Sequence, residues 1–301
     1  MRDPQLLLRS IKYTRPDALG STPGHPFDLA LLEDFDQLPL ASPISFLVGD
    51  NGCGKSTLLN GIAANAALPT IGTARAEQKA SAKQTAGAEQ IEGAQLASQL
   101  TLVKSRPLRH GCYFRADQVA LFVQGIERAM AQHSGMVEEF AQIQGDWGRT
   151  RAQGLARGEQ QALSARYGEN PTARSHGELY LNLLQQRITS RGLYLLDEPE
   201  TPLSPTNQLA LIALLLDAVE HHHSQFIIAT HSPMLLACPG ATIFDCNGTK
   251  PTPIDWDQTE HVSLTRGFLN NPQQYLQHFV GALKDREEDG QEHREDGRGA
   301  P

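Results

Sequence analysis

Gly49-Asp50-Asn51-Gly52-Cys53-Gly54-Lys55-Ser56-Thr57 fits the pattern G-x-x-x-x-G-K-[ST] at every fixed position. Its surroundings decide what it means. Ile44-Ser45-Phe46-Leu47-Val48 before it reads as a short buried strand, and Thr57-Leu58-Leu59-Asn60-Gly61-Ile62-Ala63 after it as the start of an apolar helix. A glycine-rich turn alone would be weak, but strand, glycine loop and helix together make a phosphate cradle. The glycines let the backbone wrap closely with its N–H groups pointing inward, and the helix N-terminus adds its positive end. Lys55 is expected at the β- and γ-phosphates of a nucleotide, and the Ser56 hydroxyl at a Mg²⁺ ion.

Two further strand ends strengthen this reading. Leu193-Tyr194-Leu195-Leu196-Asp197-Glu198-Pro199 is an apolar strand closing on two acids. The first suits a Mg²⁺ shell (Asp197) and the second the polarising of an attacking water (Glu198). Phe226-Ile227-Ile228-Ala229-Thr230-His231-Ser232 is another buried strand, ending at a histidine. Open α/β sheets gather ligands at the carboxyl ends of their strands, so the three motifs should meet on one edge.

Between the glycine loop and the acid pair lies Ala173-Arg174-Ser175-His176-Gly177-Glu178, followed by a helical apolar pattern at Leu179, Leu183, Leu184 and Ile188. It resembles the signature motif of ABC-type ATPases. More closely, the chain resembles the stand-alone bacterial predicted-ATPase family, an AAA-type group allied to the ATPase heads of DNA-repair and SMC proteins. The phrases FLVGDNGCGKSTLL, GCYFRAD, ARSHGE, LYLLDEPETPLSP, SQFIIATHSPMLLACPGATIFD and LTRGFLNNPQQYLQHF carry the likeness. The resemblance implies an α/β P-loop fold with a helical insert, ATP and Mg²⁺ as cofactors, ATP hydrolysis, and a homodimer formed on ATP. It implies that Ser175 and Gly177 bind the γ-phosphate held by a second copy. His231 would be the switch histidine, and Asp117 or Gln118 would sense Mg²⁺ and water. Two departures stand out: His176 and Glu178 replace a glycine and a glutamine, and Ser204 stands where an aspartate is usual. Ser175 with Glu178 has the S-x-x-E form of a capping box.

Composition sets the frame. The 301 residues, 40% hydrophobic, suit one large α/β domain, expected over residues 1–283. Nothing approaches the ~18–20 apolar residues of a membrane span, and the N-terminus has no long apolar core, so a cytoplasmic protein is expected. Cys53, Cys112, Cys238 and Cys246 form no C-x-x-C pair, which fits a reducing compartment and no structural zinc. The net charge of −8 gives no basic footprint for nucleic acid. Ala- and Gln-rich residues 72–100 read as a low-complexity insert. Residues 116–175 read as a helical subdomain leading to the signature, with an Arg-rich stretch over 146–174, and 284–301 as a disordered charged tail. His221-His222-His223 ends a helix and reads as structural, because successive helical residues cannot share one metal.

Three other functions compete with ATP hydrolysis. An ATP-gated switch with negligible turnover could dispense with Glu198. A transporter's ATPase subunit fits the absence of a span but not the altered signature. A small-molecule kinase would leave Asp197, Glu198 and His231 without a role. A fused nuclease domain after His231 is not expected.

Overall fold

The computed structural model describes residues 6–16, 24–71, 93–118 and 176–277. The chain divides into two compact units, Met1–Ile254 and Asp255–Pro301.

The first unit is built on a seven-stranded sheet. Its strands are β3 (Ile44–Val48), β4 (Thr70–Ile71), β6 (Gly111–Arg115), β7 (Leu193–Asp197), β8 (Gln225–Ala229), β9 (Thr242–Asp245) and β10 (Thr252–Ile254), in the spatial order β10-β9-β3-β8-β7-β6-β4. All neighbours are parallel except β10, which runs antiparallel on the edge beside β9. Every residue of β3, β7 and β8 is buried. That is why these three strands read as mostly apolar runs: helices cover both faces of a parallel sheet. The helices are α1 (Lys55–Asn65), α2 (His176–Arg187), α3 (Pro205–His222) and the short α4 (Pro233–Leu236).

A second, antiparallel sheet of three strands, β2 (Gln37–Pro39), β1 (Leu8–Tyr13) and β5 (Leu100–Lys104), packs into the same core. Gln225, at the start of β8, joins the two sheets. Its Oε1 accepts the Leu7 and Leu8 N–H groups at 3.0 and 2.8 Å, and its Nε2 donates to the Leu8 carbonyl at 2.8 Å.

The sequence expectation for residues 72–100 gives way at its C-terminal end. Residues 93–99 are helical, Leu96 and Leu100 are buried against Gly61 of α1, and residues 100–104 form β5. The few leucines in an Ala/Gln-rich stretch all face one way, which composition does not reveal. Residues 72–92, the subdomain from 119 to 175 and the tail lie outside the described residues. The triplet His221-His222-His223 closes α3: His223 takes the left-handed conformation at the C-cap (φ 54°), and His221 Nδ1 lies 3.1 Å from Asp217. Ser204, where the family pattern has aspartate, is the N-cap of α3, its side chain accepting the Asn207 N–H, with Pro205 at the first helical position.

The second unit holds a 3₁₀ turn at Trp256–Gln258 and helix α5 (Glu260–Asn270), followed by a short helix over residues 272–277. The Arg266 guanidinium lies 5.1 Å above the Trp256 ring, and Phe268 meets Tyr275 edge-on at 5.9 Å.

Candidate functional site

The glycine loop leaves β3 and enters α1 as the sequence predicts. Gly52 (φ 84°) and Gly54 (φ 107°) hold backbone angles that a side chain would strain. Two contacts set the loop's shape. Asn247, in the turn after β9, accepts the Asp50 N–H at 2.7 Å, and Leu29 and Leu31 press on Gly54. Lys55 is buried and folds back on its own loop, donating to the Gly49 and Asp50 carbonyls at 2.8 and 2.9 Å. The same ammonium reaches the Cys53 sulfur at 3.6 Å.

Asp197 ends β7 one strand beyond β8, and the loop and strand end meet. The Ser56 hydroxyl donates to Asp197 Oδ1 at 3.0 Å, and the Tyr113 phenol of β6 donates to Oδ2 at 3.1 Å. Burial pushes the Asp197 pKa up; the hydrogen bonds from Ser56 and Tyr113 and the charge of Arg115 pull against it. A buried acid with a raised pKa has a sign that can be tested. It holds its proton more tightly folded than unfolded, so stability falls as pH rises from the ordinary 3.8 through the raised value, and above that the cost is fully present. Asp197→Asn is therefore expected to raise the melting temperature of the nucleotide-free protein at neutral pH. The gain should shrink as the buffer approaches pH 3.8. A lower melting temperature at neutral pH would mean that the two hydroxyl bonds outweigh burial.

Glu198, next along, takes a left-handed backbone (φ 48°), a costly conformation for a residue with a side chain. Its N–H donates to Ala229 of β8 at 2.9 Å, so the chain turns sharply at the sheet edge. The carboxylate is half exposed and lies 3.9 Å from His231 Nε2. Thus β3, β8 and β7, adjacent in the sheet, bring Lys55, Ser56, Asp197, Glu198 and His231 to one edge.

Of the two sensor candidates, Asp117 is exposed and its carboxylate is paired with Arg115 at 3.0 Å. Gln118 has a buried side-chain oxygen with no hydrogen-bond partner among the described residues. Gln118 therefore has the free ligand atom. In the signature, Ser175 lies outside the described residues. Gly177 sits in the first turn of α2, where a Cβ would come within 2.8 Å of the Pro202 carbonyl and 2.9 Å of Asn207 Nδ2. Close packing on the loop after β7 is thus a reason for glycine there, beside any role toward phosphate.

The sequence reading passed over four residues. Tyr113 and Arg115 lie in the phrase GCYFRAD, two and four residues into β6, and Arg115 stands in register with Asp197. Alternation along a strand next to an acid-tipped one could have flagged Tyr113. Asn247 and Glu200 act across long stretches of chain and left no local signal.

Cys53 is half-buried, whereas Cys112, Cys238 and Cys246 are buried. Burial pushes the Cys112 thiol up to about 12 and that of Cys238 to about 11, and raises Cys246 as well. Alkylation is expected first at Cys53, beside the Lys55 ammonium, and slower with Mg-ATP bound. Mass spectrometry locates the adduct. Equal rates at all four thiols, or no protection by ATP, would end this expectation.

A glycine loop on a parallel sheet, its serine bonded to a strand-end aspartate, defines a P-loop nucleotide-binding ATPase domain. The family model described as "ABC transporter" matches residues 41–201, more than half of the chain, and the protein belongs to that family. A second model, "AAA domain, putative AbiEii toxin, Type IV TA system", matches residues 178–237. No curated protein matches. Solved structures similar to the chain include a metal-chelate type ABC transporter in an inward-facing conformation (16% identity, 86% of this chain and 88% of that one, TM-score 0.41). The SMC head domain from Thermotoga maritima is another (13% identity, 83% and 99%, TM-score 0.38). Among the described residues no helix is long and apolar enough to cross a membrane.

Proposed function

We propose that the protein hydrolyses ATP to ADP and phosphate with Mg²⁺, and that two copies close on ATP. The observation carrying this reading is the meeting of the Ser56–Asp197 hydrogen bond with Glu198 and His231 beside the glycine loop. Lys55 leaves its own loop carbonyls for the phosphate oxygens and stabilises the charge that grows there. Ser56 and Asp197 supply oxygen ligands for Mg²⁺, and the orphaned Gln118 oxygen suits the same hard cation. When bound, the ion neutralises phosphate charge. Glu198 takes the proton of the attacking water, and His231 donates toward the γ-phosphate. Ser175 and Gly177 serve the ATP of the second copy.

The reading places the protein in the cytoplasm, beside DNA-repair or defence machinery. The toxin-system model over residues 178–237 supports the defence reading.

Lys55→Ala tests the cradle. The variant should lose ATP affinity by about 10–100-fold, the scale of a charge-assisted hydrogen bond in a site closed to water. Titration with a fluorescent ATP analogue reads it. Equal affinity in variant and wild type would refute the proposed site.

A further inference from the structure

We propose that Glu200 is a positioning residue, whose carboxylate fixes the loop bearing His231 against the loop bearing Glu198 and links both to the signature helix. Its consequence for turnover rests on the function proposed above; the hydrogen bond itself does not.

Glu200 Oε1 accepts the His231 backbone N–H at 2.6 Å. The turn after β7 is thereby tied to the turn after β8 at the residue that presents the imidazole. Burial pushes the Glu200 pKa up, and hydrogen bonds from the His231 N–H and the Thr230 hydroxyl pull it down. A carboxylate withdrawn from water is costly unless hydrogen bonds hold it, and a surface turn has no need of one. A second side chain bridges the same two loops. Gln208 of α3 donates to the Leu203 carbonyl at 3.4 Å and accepts the Ser232 hydroxyl at 2.6 Å. The two loops are therefore tied to each other at two places.

The link to the signature runs through two unsatisfied groups. Glu200 Oε2 and the Tyr180 phenol are both buried without a hydrogen-bond partner among the described residues. Tyr180 belongs to α2, one turn on from His176, and the negative charge on Glu200 is felt at its hydroxyl. One group is a donor and the other an acceptor, so the two are chemically suited to pair. Gly177, on the same helix, already rests on the Pro202 carbonyl of the Glu200 loop. Engagement of the signature by a second copy would thus be transmitted through Tyr180 and Glu200 to His231.

The test uses the full chain labelled with ¹⁵N-histidine, the His231 amide being assigned as the resonance missing from His231→Asn. In wild type it should lie far downfield, as a short bond to a carboxylate requires. Glu200→Ala should move it upfield and lower kcat by about 10–100-fold with little change in KM for ATP. Glu200→Gln should restore most of kcat, since its amide oxygen accepts from His231 while its NH₂ donates to Tyr180. Should Glu200→Ala fail to fold, Glu200→Gln still decides, because the loss of charge must move the His231 amide part of the way. An unmoved amide, or a Gln variant as slow as the Ala variant, overturns the proposal. Absence of hydrolysis in wild type would overturn the proposed function instead, with the amide shift still reporting on Glu200.

Discussion

Replacing Glu198 by Gln is expected to leave ATP bound and to cut turnover by about 10²–10⁴-fold, the usual contribution of a general base. The change keeps the size of the side chain and removes only its basicity. Its setting makes it the fitting base: Asp197 is buried and committed to Ser56 and Tyr113, and Asp117 is paired with Arg115. Glu198 alone among these acids combines a half-exposed carboxylate with a place 3.9 Å from His231. Single-turnover hydrolysis of radiolabelled ATP measures the loss. Turnover equal to wild type would move the base elsewhere. The same variant traps the ATP state, so light scattering should find a larger particle with Mg-ATP than with ADP. One mass under both conditions at high protein concentration would count against closure of two copies.

Gln225→Leu is expected to cost several kcal/mol of stability. Leucine fills the space but leaves the Leu7 and Leu8 N–H groups and the Leu8 carbonyl without their partner. Each buried polar group so abandoned costs about 1–3 kcal/mol. Urea unfolding should therefore show a lower midpoint at unchanged slope. Hydrogen exchange at Leu7 and Leu8 should accelerate more than exchange in β7. A midpoint within error of wild type would mean that water replaces the amide, and the link between the sheets would have to rest on apolar packing.

The candidate site at the sheet edge was legible in the sequence because its signals are local. β3, β7 and β8 are buried, mostly apolar runs that lead into the glycine loop, the Asp197-Glu198 pair and His231, and burial on both faces produces such runs. What escaped reading is what depends on distant contact. Leu96 and Leu100 sit in a stretch whose composition resembles a linker, and only the groove beside Gly61 gives them a partner. Gln225 looks like an ordinary polar strand start until β1 arrives beside it. Glu200, two residues past Glu198, reads as one more surface acid of the same turn. The pairing of Asp117 with Arg115, which sets it apart from Gln118, is something neighbouring letters alone do not disclose.

Sheet order and chain order disagree at β8, and that has a consequence during synthesis. The strand lies between β3 and β7, yet it leaves the ribosome after both. A nascent chain that has reached Glu198 already carries the glycine loop and the acid pair but lacks the wedge that sets them at their proper spacing. Until Gln225–Ala229 emerges, two largely apolar strands wait with open edges, the state most prone to mispairing with another chain. Ribosomes that stall before this point would release fragments bearing both motifs, unable to turn over nucleotide and prone to aggregate. Chaperone demand for this protein should therefore peak over the short interval between the emergence of β7 and that of β8.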